Sequence, residues 1–139
     1  MNRQDAKGAK VPEPNSDLDQ FAAIVVDAAL EVHRHLGPGF LESVYEEALA
    51  VELGLRHVTF RRQVPIAVEY KLVPVGQARL DLLVGGCLVV ELKAVECLLP
   101  VHVAQVLSYL KTTRNSLGLL INFHVNMLRQ GIKRVVLTR

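Results

Sequence analysis

Two short apolar runs meet at Gly85-Gly86, and each carries an acid where a half-buried strand would be apolar. Residues 77–84 (QARLDLLV) and 87–95 (CLVVELKAV) read as strands joined by a glycine turn, the strongest hairpin signal in the chain. Strand side chains alternate faces, so Glu91 and Lys93 share a face, as do Arg79 and Asp81. Turn length decides whether the two pairs meet. A two-residue turn puts Asp81 and Glu91 on opposite faces. A three-residue loop over 85–87, or one bulge, sets Asp81 opposite Glu91 and Arg79 opposite Lys93. Both registers remain open. A carboxylate buried in such a strand needs a partner or a metal. One reading is an ion pair inside the sheet, Lys93–Asp81 or Arg79–Glu91. Two carboxylates and one lysine fit better as a divalent-cation site, because Mg²⁺ takes hard oxygen ligands and a nearby lysine orients water or stabilises charge on a phosphate.

Around this hairpin the chain reads as one domain over residues 17–139, preceded by a polar arm over 1–16 (MNRQDAKGAKVPEPNS) with no apolar period, which is expected to be flexible. Ser16 caps a first helix, whose Phe21, Ile24, Val25, Ala28, Val32 and Leu36 recur at helical spacing. Gly37-Pro38-Gly39 ends it. A second helix is expected from about Leu41 to Leu53, with Gly54 as its left-handed cap. Residues 58–72 are β-branched, aromatic and partly alternating, and Pro65 marks an edge, a bulge or a break. Pro100 opens a third helix that runs to about Thr113. Strands at 117–123 and 132–137 follow. The order ααβββαββ is that of an α/β or α+β sandwich, a sheet covered on both faces.

Composition narrows the function. With 139 residues and half of them hydrophobic, the chain buries a core without disulfides or structural metal. Two cysteines cannot supply the four thiolates of an iron–sulfur cluster, so none is expected, and Cys87 and Cys97 read as reduced core thiols. No apolar run approaches a membrane span, and acids precede the first apolar stretch, so neither a membrane segment nor a signal peptide is expected and the location is read as cytoplasmic. The net charge of +2 hides an asymmetry. Residues 1–99 hold 10 Lys and Arg against 14 Asp and Glu, whereas residues 100–139 hold Lys111, Arg114, Arg129, Lys133, Arg134 and Arg139 and no acid. Such a block suits a polyanion or, equally, a solvated helix face and strand edge.

Asp81, followed ten positions later by Glu91-Leu92-Lys93, resembles the D…(D/E)xK signature of the PD-(D/E)XK nuclease superfamily. Gly39-Phe40-Leu41-Glu42-Ser43-Val44-Tyr45 resembles the motif of its GxxExxY family. The similarity extends over about residues 20–136 through the blocks VHRHLGPGFLESVYEEAL, RLDLLV, VVELKAVE, PVHVAQVLSYLK, GLLINF and GIKR. It implies a restriction-endonuclease-like fold: an αβββαβ core, a mixed sheet flanked by helices, with an extra N-terminal helix. The implied activity is Mg²⁺- or Mn²⁺-dependent hydrolysis of phosphodiester bonds in DNA by a metal-activated water.

The resemblance implies roles for particular residues. Asp81 and Glu91 are the metal-binding carboxylates, Lys93 the catalytic lysine and Glu42 the acid from the helix beside the sheet. Glu46, at i+4 on the same helical face, is the fallback. Arg79 stands where the superfamily name has proline. Gln105 and Tyr109 match the QxxxY motif of the RecB-like branch, with His102 on the same face, and would contact DNA or brace the active-site strands. His33 matches the metal-ligating histidine that this branch places upstream of its aspartate, and would shift preference toward Mn²⁺. Tyr45 is expected to pack beside Glu42. The basic residues Lys111, Arg114, Lys133 and Arg134 would track phosphates. If about four are neutralised, log K falls with log salt at a slope near −3.6. Cutting both strands of a duplex usually takes two sites, which makes a homodimer an expectation. Two rival classes compete with the nuclease: a non-catalytic nuclease-fold module that binds nucleic acid or protein, and an enzyme acting on a small phosphorylated molecule. No glycine-rich phosphate loop supports the latter.

Overall fold

The computed structural model describes residues 16–138. The arm expected before the first helix lies outside the described residues up to position 15, as does Arg139 of the basic block. Helix α1 spans Ser16–Leu36. Its apolar period becomes a buried stripe of Leu18, Ala22, Val25, Ala28, Ala29 and Val32. Asp17 and Asp19 in the first turn and His33, Arg34 and His35 in the last suit the helix dipole. Gly37 and Gly39 then take positive φ and turn the chain. Helix α2 covers Glu42–Leu55. Gly54 lies inside this helix and does not cap it; the left-handed residue after it is His57, with φ +59°.

Strands β1 (Phe60–Tyr70) and β2 (Val73–Val84) pair antiparallel through Lys71 and Leu72, both left-handed, a two-residue turn whose twist matches the strands. Strand β3 (Leu88–Lys93) pairs antiparallel with β2 and parallel with β4 (Leu117–Asn122), and the crossover between them is helix α3 (Pro100–Thr113). A 3-10 turn at Leu128–Gly131 leads into β5 (Ile132–Val136), antiparallel to β4. The sheet order is β1-β2-β3-β4-β5, so Pro65 sits on an edge strand, where a missing N–H costs no central ladder bond.

Two apolar clusters flank this mixed sheet. Helices α1 and α2 cover one face with Leu82, Val84, Leu88, Val90, Leu92, Leu119 and Ile121. Helix α3 covers the other with Leu80, Val89, Leu120 and Val135. All six residues of β4 are buried, as in a strand covered on both sides. The expected element order and the restriction-endonuclease-like α+β architecture are those observed. Cys87 is half-buried, but Cys97 is exposed in the turn after β3, contrary to the reading of both as core thiols. Among the described residues no helix is long and apolar enough to cross a membrane.

Candidate active site

The register of β2 on β3 pairs Leu82 with Val90, Leu83 with Val89 and Val84 with Leu88. The loop is therefore the three residues 85–87. Gly85 and Gly86 both have positive φ. A Cβ on Gly85 would also lie 2.5–2.8 Å from three ring atoms of Phe21, so glycine lets α1 seat on the turn. Continued by one pair, this register sets Asp81 opposite Glu91. There backbone pairing gives way to side chains. The Asp81 N–H donates to Glu91 Oε2 at 2.8 Å, and the Leu92 N–H donates to Asp81 Oδ2 at 2.8 Å. Each carboxylate thus replaces a ladder carbonyl on the facing strand and is pinned by one oxygen.

Alternation breaks at the same level. Leu82 packs under α1 and α2, yet Leu80, two residues away, packs under α3. On β1 the partners of these leucines are Arg62 and Val64, and between them Gln63 has φ +48°. The sheet therefore twists sharply across Gln63 and Asp81, and Asp81 and Arg79 do not share one regular strand face. Arg79 is exposed and makes no ion pair among the described residues, so the alternative Arg79–Glu91 pair inside the sheet does not form.

Electrostatics follow from this geometry. Glu91 is 4% exposed. Burial first, then the facing Asp81, pushes its carboxyl up to about 8. Burial also raises Asp81, with Glu46 adding to the shift, while the Leu92 N–H and Gln63 oppose it. Glu42, the first residue of α2, is exposed at the surface, but desolvation and then Asp81 raise its carboxyl as well. Lys93 Nζ donates to Gln105 Oε1 at 3.1 Å, so the first turns of α3 hold the ammonium beside the carboxylates. Tyr109, one turn further on, is raised by burial and then by Glu91 and Asp81. Asp81, Glu91, Lys93, Glu42, Gln105 and Tyr109 thus form one electrostatic neighbourhood.

The surrounding residues fix these groups in place. Asn122 is buried at the end of β4; its Oδ1 accepts from the N–H of Val95 and His124, and its Nδ2 donates to the Val95 carbonyl. With the Phe123 N–H on the Lys93 carbonyl, it ties down the segment that carries Lys93. Tyr45 is fully buried, stacks on Phe123 at 4.5 Å and donates to the Gly37 carbonyl at 2.5 Å. Its hydroxyl accepts from the Phe40 N–H, so it holds the loop that delivers Glu42. Glu46 is bound by Arg62 Nε at 3.1 Å and by Gln63 Nε2 at 2.8 Å. Asn122 and Gln63 had no part in the expected site. The signal for Asn122 was legible, a polar residue closing an otherwise apolar strand.

The donors suit a hard divalent cation. Glu91 is buried with no ion pair among the described residues, and its Oε1 and Asp81 Oδ1 remain free of backbone donors. Oxygen-only donors match Mg²⁺ or Mn²⁺. No group of three or more His, Cys, Asp or Glu side chains among the described residues is arranged to hold a metal ion.

The expected histidines and basic residues have backbone, ion-pair or solvent contacts of their own. His33 is buried at the end of α1, with Nε2 on the Val125 carbonyl at 2.8 Å and its ring against Phe123. Because a carbonyl only accepts, Nε2 carries the proton and braces the loop after β4, and in this neutral tautomer the lone pair that a ligand role would use lies on Nδ1. His102 Nδ1 accepts from the Leu99 N–H at 2.9 Å and caps α3, which leaves that nitrogen no contact to DNA. Lys111 and Arg114 are exposed toward the far end of α3; Arg114 is nine residues beyond Gln105, about 13 Å along the axis. Lys133 is exposed on β5, and Arg134 is tied to Asp19 at 2.6 Å on the α1 side of that edge. The register Glu91–Leu120–Lys133 puts Lys133 at the sheet level of Glu91, two strands away, whereas Lys111, Arg114 and Arg134 are spread over other parts of the described surface.

The model of one family, described as the PD-(D/E)XK nuclease superfamily, matches residues 19–135. Neither the curated proteins nor the solved structures contain a match to the chain.

Proposed function

The chain belongs to the PD-(D/E)XK nuclease superfamily, and from that premise we propose that it hydrolyses phosphodiester bonds in DNA with Mg²⁺ or Mn²⁺. Within the superfamily, the Gly39–Tyr45 block supports the GxxExxY family, and Gln105 with Tyr109 supports a RecB-like affinity. One observation carries the reading: Glu91 is buried against Asp81 and, among the described residues, makes no ion pair, the nearby Lys93 ammonium being held on Gln105. Two acids this close ionise together only when a counter-charge such as a divalent cation is beside them.

Asp81 and Glu91 would hold the cation, with Glu42 completing the site from α2. A divalent cation there supplies Lewis acidity toward a phosphate oxygen and lowers the proton affinity of water. Lys93, held by Gln105, orients the water that attacks phosphorus in line and faces the developing negative charge. Removing it should cost on the order of 10²-fold in rate, as for other preorganised groups. Cleavage of both strands of a duplex would take two copies of this single site.

Calorimetry with Mg²⁺ and Mn²⁺ on the wild type and on Asp81→Asn/Glu91→Gln, with cleavage of single- and double-stranded DNA and RNA in parallel, tests the reading. Binding and cleavage that both vanish in the variant are expected. A wild type that binds neither ion with DNA present would overturn it and leave a nuclease-fold binding module.

A further inference from the structure

We propose that Gln63 is a positioning residue: its side-chain amide, presented from a left-handed backbone position in β1, bridges Asp81 and Glu46 and fixes the orientation in which Asp81 faces Glu91. What that orientation serves, cation binding, rests on the reading above; the bridge itself does not.

The backbone gives the first argument. Gln63 lies in mid-strand at φ +48°, a conformation that costs an L-residue about 1 kcal/mol and that glycine or asparagine adopts more readily. The ladder skips it, pairing Arg62 with Leu82 and Val64 with Leu80 on either side. If this position served only to bend the strand, glycine would do so with less strain.

The side chain gives the second. Gln63 Nε2 lies 2.8 Å from Glu46 Oε1 and 3.4 Å from Asp81 Oδ1. One amide nitrogen, with two N–H donors, thus lies within hydrogen-bond distance of two carboxylates. Glu46 is itself anchored by Arg62, so the bridge ties Asp81 to the α2 helix. The choice of side chain is chemically specific. Two facing carboxylates need donors between them, and lysine or arginine would supply a positive charge that competes with a bound cation. An amide supplies the donors and leaves the negative charge of the site intact.

Replacing Gln63 with glycine relieves the backbone and removes the amide, which separates positioning from folding. In Gln63→Gly the melting temperature of the metal-free protein should be no lower than that of the wild type. The amide proton resonance of Leu92, which reports its hydrogen bond to Asp81, should shift. Mn²⁺ affinity should fall about 10- to 100-fold, the range for groups that orient metal ligands. Gln63→Asn, which suits the backbone but is too short to span both carboxylates, should move the same two readouts in the same direction. An unchanged Leu92 resonance together with wild-type Mn²⁺ affinity in both variants would overturn the proposal. So would a melting temperature lowered in Gln63→Gly as by a lost core contact. A wild type that binds no Mn²⁺, while the Leu92 resonance still shifts in the variants, would overturn the proposed function and uphold the bridge.

Discussion

The β2–β3 hairpin is built differently at its two ends. Near the turn, Leu82, Val84, Leu88 and Val90 are fully buried and the backbones pair in register. One pair further on, carboxylates replace the ladder carbonyls and the same strands carry charge into the interior. The turn end fixes the register, and with it the meeting of Asp81 and Glu91. The open end spends part of that stability on two acids held close together. A site of this kind is cheap only beside a hairpin that needs no help from it.

Removing packing at the turn end should have the largest effect. Leu82→Ala should destabilise the metal-free protein by about 2–5 kcal/mol, read from denaturant unfolding, because it leaves a cavity between the sheet and α1. Where enough protein remains folded, cation affinity should stay close to wild type.

At the open end the effect depends on pH. The Glu91 carboxyl is raised from 4.5 to about 8 in the folded protein, so between those values the folded state binds more protons than the unfolded one. Stability of the metal-free protein should therefore be unaffected by this group below about pH 4.5, fall as pH rises toward 8 and then level off. The loss is on the order of a few kcal/mol. Glu91→Gln keeps an acceptor for the Asp81 N–H and should flatten that slope, so that at pH 8 the variant melts above the wild type.

Far from both ends, Arg134→Ala removes an exposed ion pair with Asp19. Unfolding should change by less than about 1 kcal/mol, and cation affinity should not change. A large loss there would show that the β5 edge is coupled to the carboxylates.

Sequence patterning carried the element order because apolar period, glycine turns and Pro100 all act locally. The Asp81, Glu91 and Lys93 set was legible because acids stood in apolar strands. Their register was not, since two glycines accommodate either turn, and the seating of Phe21 on Gly85 comes from a helix sixty residues away. The inversion at Asp81 left no mark, for QARLDLLV alternates no differently on either side. Gln63 was hidden by its identity, because glutamine does not signal a left-handed position. Folding divides the basic third of the chain: Arg114 goes to the end of α3, Arg134 to Asp19 and Lys133 to the sheet level of Glu91. His33 and His102 were marked by spacing alone, and the backbone partners that orient one nitrogen of each, the Val125 carbonyl and the Leu99 N–H, are contacts that spacing does not reveal.

The most direct test of the central claim is the number of protons released when Mn²⁺ binds at pH 7, measured by calorimetry in buffers of different ionisation enthalpy. If Glu91 is held protonated against Asp81 until a cation arrives, close to one proton should leave the wild type and markedly fewer should leave Glu91→Gln. Binding with no proton release in the wild type would contradict the protonated Glu91, and binding undiminished in Asp81→Asn/Glu91→Gln would contradict the claim that this buried pair is the cation site.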